Sequence, residues 1–95
     1  MSNHNNVIAA VFDVPGMTAV QYDRVIKDLE AAGLGAPDGR LYHLAAPKGD
    51  GWYVLDVWEN VDKLNTFAGT LMPILQKNGV MPPQPRILPA HNIIG

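Results

Sequence analysis

The chain has 95 residues, seven Lys and Arg against nine Asp and Glu, a net charge of −2 and no cysteine. That length is one domain, with a core near the lower limit of what stands comfortably alone. Thinly spread cations exclude the basic patch that neutralises phosphates, and the missing thiols exclude disulfides, thiolate metal sites and cysteine nucleophiles. A hydrophobic share of 47% with 17% charged residues predicts a folded chain rather than a disordered one. No run of about 18 apolar residues occurs, and the N-terminus lacks a charged-then-apolar leader, so neither a membrane span nor a signal peptide is expected and the cytoplasm is the default compartment.

Residues 1–6 are polar and read as a lead-in, His4 included. Val7 to Val14 is an apolar run stopped by Pro15-Gly16, short enough to be a buried strand. Thr18 with Gln21 three residues on forms a capping box. Tyr22, Val25, Ile26 and Leu29 then recur on one helical face until Gly33 ends the helix. Gly35 to Gly39 is turn chemistry. Arg40 to Ala46 reads as a second strand, and Pro47 to Gly51 as the connection into the strand Trp52 to Glu59. A four-residue loop would set His43 opposite Asp56, whereas a three-residue loop would set it opposite Leu55. Asn60 caps a second helix with apolar positions Leu64, Phe67, Ala68, Leu71, Met72 and Leu75, and Pro73 is expected to kink or break it between Ala68 and Pro73. Asn78-Gly79 stops it, Pro82 to Pro85 forms a stiff connector, and Arg86 to Ile94 is the last strand, placed at a sheet edge by Pro89.

Strand, helix, strand, strand, helix, strand is the split βαβ order of the ferredoxin-like α+β fold, a four-stranded antiparallel sheet with both helices on one face. The strand Trp52 to Glu59 is the crux. Tyr53, Leu55 and Val57 are apolar on one side, and Trp52, Val54 and Trp58 flank a single carboxylate, Asp56, on the other, so neither face suits water. Two helices cover one face only. The other calls for a second copy of the chain, hence a homodimer.

Asp56-Val57-Trp58-Glu59-Asn60, leading into the helix of Val61 to Phe67, resembles a signature of the dimeric α+β barrel superfamily. In that group an acidic residue, an apolar residue and Trp precede the second helix. The resemblance implies a ferredoxin-like unit that dimerises into an α+β barrel. It also implies kinship with antibiotic-biosynthesis-type monooxygenases, which oxidise aromatic polyketides without metal or flavin, and with haem-degrading monooxygenases. Relatives often carry histidine on the second helix, where this chain has Phe67 and Met72. Neither side chain ligates haem iron or moves a proton as imidazole does, which disfavours haem degradation and weakens the case for cofactor-free oxygenation; no cofactor is expected.

Polar groups inside an apolar sheet need compensating bonds, which singles out His43, Asp56 and His91. His43 and Asp56 form a candidate acid/base pair in which the carboxylate fixes the imidazole tautomer; the competing account is a hydrogen bond that only pins the strands. Two histidines and a carboxylate match no compact metal motif, so no metal is expected. Tyr22, Tyr42, Trp52, Trp58 and Phe67, with His91, are the candidate lining for a small aromatic or apolar ligand; aromatics at such positions are more often plain core, and a histidine such as His91 more often a strand or interface residue. The expected activity is monooxygenase-like or isomerase-like. The alternative is a non-catalytic ligand-binding or assembly module with His43 and Asp56 structural. On the functional reading, His43→Ala is expected to leave folding largely intact.

Overall fold

The computed structural model describes residues 6–94; Ser2 and His4 lie outside them. The elements follow as β1 (Ile8–Val14), α1 (Ala19–Ala31), β2 (Arg40–Lys48), β3 (Gly51–Trp58), α2 (Val61–Lys77) and β4 (Arg86–Pro89). The strands form one antiparallel sheet in the order β2-β3-β1-β4, which is the ferredoxin-like arrangement expected from the element order.

Local chemistry explains where the helices begin and end. Thr18 accepts from the Gln21 amide at 3.1 Å and the Gln21 side chain accepts from the Thr18 amide at 3.0 Å, so the capping box is closed in both directions. Asn60 accepts from the Lys63 amide at 2.9 Å. Both helices stop in Schellman motifs: Leu34 N–H donates to Leu29 C=O at 2.8 Å and Val80 N–H to Leu75 C=O at 2.9 Å, each across a glycine with positive φ. A left-handed residue at that point favours glycine because a Cβ would clash there.

Of the kink or break expected at Pro73, the break does not occur, since α2 runs through it as one helix. Pro73 and Gly69, whose carbonyl loses its partner, are both on the exposed side of α2, where water replaces the missing bond. On the opposite side Leu64, Phe67 and Leu75 are buried, and that packing offsets a proline cost of about 3 kcal/mol. The last strand is also shorter than its apolar residues suggested. It ends at Pro89, after which Ala90 N–H makes one more bond, to Val7 C=O at 2.9 Å.

One face of the sheet carries the core. Ala10, Phe12, Val14 and Trp58 from the sheet cluster with Val25 and Leu29 of α1 and with Leu64, Phe67 and Leu75 of α2. All four sheet residues are even-numbered and therefore share a face. Trp58, with no exposed surface, is the anchor, its ring 5.2 Å from that of Phe67. The odd-numbered residues of β1 and β3, with Tyr42 and Leu44 of β2 and Leu88 of β4, form the other face; among the described residues no helix covers it, and of these side chains Val11 is buried, beside the 81–84 segment. Tyr42 is 53% exposed and Leu88 54%.

The C-terminal ends of the two helices are tied by Asn78 Nδ2, which donates to Asp28 Oδ2 at 2.9 Å, with Lys77 Nζ at 3.4 Å. The Asn78 hydrogen bond, opposed by desolvation and helped by Lys77, holds the Asp28 carboxyl below its ordinary value of 3.8. A carboxyl that binds its proton less tightly when folded stabilises the fold above the unfolded-state value, and that stability is lost as pH falls through the folded-state value. Urea midpoints are therefore expected to fall as pH drops below 3.8, with a shallower fall for Asp28→Asn. Parallel profiles for variant and wild type would show that the tie contributes nothing to stability.

Candidate functional site

The β2-β3 hairpin sets the site. Pairing continues to Lys48 opposite Gly51, leaving only Gly49-Asp50 as the loop. Gly49 has φ 59°, the pattern of a type II′ turn, whose first central residue needs positive φ. This register sets His43 opposite Asp56, the outcome expected of the longer-loop alternative, although two more residues join the ladder. Both side chains lie on the helix-covered face.

There they are bonded. His43 Nδ1 and Asp56 Oδ1 are 2.5 Å apart, and the Asp56 side chain is 5% exposed. The other ring nitrogen, Nε2, lies 2.7 Å from the Tyr22 hydroxyl on α1. A carboxylate accepts only, so His43 donates from Nδ1, and with the ring neutral Nε2 accepts the Tyr22 O–H. The His43 and Tyr22 rings are nearly coplanar at 8°, and Tyr22 packs against Trp52 with ring centres 5.5 Å apart. Burial pushes the Tyr22 phenol up, opposed by the nearby Arg40 charge and reinforced by Asp56 and Asp23. Tyr22 is therefore neutral and available as a donor at ordinary pH.

This chain of bonds borders a cavity of about 60 Å³ between the sheet and both helices, room on the order of four to six water-sized volumes. Its walls are apolar, including Val25, Val54, Phe67 and Leu71, and its polar edge is Tyr22, Arg40, His43 and Asp56.

Among the residues singled out from sequence, Tyr22, His43, Asp56 and Phe67 border this space. Trp52 stands behind Tyr22, and Trp58 is packed beneath Phe67; neither is part of the wall. Tyr42 points to the opposite face of the sheet, because its partner Val57 does. His91 is exposed beyond the end of β4 and apart from the cavity. Among the described residues no three His, Asp or Glu side chains are gathered as a metal site.

Sequence reasoning missed Arg40. It is three residues from His43, and in a regular strand such residues face opposite ways. A bulge between Arg40 and Tyr42 absorbs Leu41, so that Arg40 pairs with Trp58 and turns to the same side as His43. Its guanidinium lies 6.0 Å from the centre of the Phe67 ring and donates to Gly35 C=O at 3.2 Å. The odd spacing hides the residue, and no sequence signal marks the bulge.

No protein-family model and no curated protein matches the chain. Solved structures do. A provisionally named antibiotic biosynthesis monooxygenase of Chloroflexus aurantiacus superposes with a TM-score of 0.66 at 8% identity, over 95% of this chain and 98% of that one. A protein of the same provisional name from Deinococcus radiodurans gives 0.59 at 15%, over 94% and 96%. SnoaB, a cofactor-independent oxygenase of Streptomyces nogalater, gives 0.60 at 17%, over 93% and 94%. The identities are low, and what is shared across nearly the full length of each chain is the fold.

Proposed function

We propose that this chain, built on the fold of the antibiotic biosynthesis monooxygenases, is a homodimeric protein that binds a small aromatic or apolar molecule between its sheet and helices. His43 and Asp56 are its acid/base pair. The observation that carries this reading is the bonded sequence Asp56, His43, Tyr22 at the edge of an otherwise apolar cavity. Buried polar groups of this kind fix the orientation of a ligand that apolar walls attract. Activity of the monooxygenase type on such a ligand draws support from SnoaB, named a cofactor-independent oxygenase, and isomerase-type proton transfer uses the same pair. Carbanion or enolate formation requires a base whose conjugate acid is held in place, and a carboxylate behind an imidazole meets that requirement.

The rival reading is a binding or assembly module without catalysis, and one feature favours it: both ring nitrogens of His43 are already engaged by protein groups. Titration of the protein with small monocyclic aromatics, followed through tryptophan fluorescence, tests the premise of a ligand site. The expected result is saturable binding of one molecule per chain that Leu71→Phe, which fills the cavity, weakens. Binding indifferent to Leu71→Phe, or no saturable binding, would sink it.

A further inference from the structure

The nitrogen of His43 that would act as base is not open to a ligand, because the Tyr22 hydroxyl occupies it at 2.7 Å. A proton leaving a ligand must either wait for Tyr22 to move or pass through it. Tyr22 is poorly placed to move: its ring is held against Trp52 on one side and lies nearly coplanar with His43. It also borders the cavity. Passage through its oxygen needs no displacement of the ring.

The second observation is Arg40. The Leu41 bulge turns it onto the cavity face, and among the described residues no carboxylate lies within ion-pair distance of its guanidinium. Among the described residues its side chain makes one hydrogen bond, to Gly35 C=O, so most of its five N–H donors have no protein partner. A cation without a counter-charge beside a proton-accepting chain suits a ligand that becomes an anion when its proton leaves.

We propose that Tyr22 is the proton-transferring group of this site and Arg40 the group that holds the resulting anion, for a ligand bearing a weakly acidic hydroxyl. The ligand O–H bond breaks as a new O–H bond forms on Tyr22 Oη. The original Tyr22 O–H bond breaks as an N–H bond forms on His43 Nε2. The products are a ligand oxyanion facing Arg40 and an imidazolium facing Asp56, with Tyr22 neutral before and after. No electrons change hands. The neutrality of Tyr22 required at both ends agrees with the effect of its burial.

This inference rests on the ligand-binding reading, and its test separates the two. The probe is 4-nitrophenol, whose anion absorbs in the visible; 4-nitroanisole has the same shape and no acidic hydrogen. At a pH below the ionisation of free 4-nitrophenol, wild type is expected to bind it as the coloured anion, with the ¹⁵N signal of His43 Nε2 moving to the imidazolium position. 4-Nitroanisole should bind without that movement. Tyr22→Phe, which keeps the ring against Trp52, should still bind 4-nitrophenol but lose the anion band, and Arg40→Gln should bind the anion roughly tenfold more weakly or worse, the worth of a charged hydrogen bond. An anion band that survives in Tyr22→Phe, or binding to wild type without the band and without the Nε2 shift, overturns the relay and leaves the binding site standing. Failure of wild type to bind either compound overturns the binding reading and the relay together. The wild-type Nε2 measurement decides the matter even where Tyr22→Phe does not fold.

Discussion

His43→Ala is expected to lower the free energy of unfolding by about 3 kcal/mol, the lower part of the range for stripping a buried ion of its hydrogen-bond partner. The lower part applies because the His43 side chain is 23% exposed and water reaches some of the vacated space. Asp56 is 5% exposed, and His43 Nδ1 is the hydrogen-bond donor the structure places on its carboxylate. Without the imidazole, the carboxylate must stay buried unpaired or take up a proton, and both cost stability. From sequence alone this variant has two expected outcomes, folding largely intact if the site is functional and a large loss of stability if the pair is structural; with Asp56 this deep, some loss is expected on either reading. Asp56→Asn provides the contrast. Its amide oxygen still accepts from Nδ1, so the loss should stay within about 1 kcal/mol, the net worth of a hydrogen bond. Replacing both members, His43→Leu with Asp56→Leu, should recover most of the stability lost in His43→Ala, as apolar replacements of buried pairs generally do. Urea unfolding with unchanged m-values is the measurement. A His43→Ala midpoint equal to wild type would show that the pair contributes little to the fold.

Asp56→Asn also separates structure from chemistry. It preserves the imidazole orientation while removing the charge that stabilises an imidazolium, so folding and proton transfer respond differently to it. Wild-type-like stability combined with loss of proton transfer is the signature of a working acid/base pair.

Which parts of the molecule were legible in the sequence follows from how local the governing interactions are. Thr18 with Gln21, Asn60, and the glycines after each helix are fixed by contacts three to five residues apart, and the helices begin and end where those residues stand. The alternation in Trp52 to Trp58 identified β3 and its two faces. The His43-Asp56 pairing could be written down as one of two registers, and choosing between them required the geometry at Gly49, which no spacing reveals. Pro73 does not break α2, because its affected carbonyl faces water and the other side of the helix is held by the core. His91 misled. Its apolar neighbours Ile93 and Ile94 imply a strand, yet pairing ends at Pro89 and Ile94 is 89% exposed. The Tyr22 bond to His43 and the turn of Arg40 toward the cavity are tertiary facts, set by the seating of α1 on the sheet and by a single bulge.

Leu55→Lys is expected to convert the proposed homodimer into a monomer while leaving the isolated fold nearly unaffected. Leu55 sits at the middle of β3, on the face opposite the core and between Leu44 of β2 and Val11 of β1. Around it Tyr42, Leu44 and Leu88 expose their apolar surfaces. At one end of this face Asp13 is paired with Lys48 at 2.9 Å and lies 3.6 Å from Arg86, a charged border of the kind that rims an apolar interface. A second copy packed face to face would cover this surface with a matching one, and two-fold symmetry would place each substitution in the interface twice. Burying an ammonium group without a partner costs several kcal/mol, so two of them weaken association by well over a thousandfold, at about 1.4 kcal/mol per factor of ten. In the monomer the same lysine faces water, and its urea midpoint should stay close to that of wild type diluted below its dissociation constant. Sedimentation velocity at micromolar concentration is the decisive measurement. A wild-type chain that sediments as a monomer would mean that the open face is covered by something other than a second copy. Leu55→Lys sedimenting as a dimer would place the contact elsewhere on the chain.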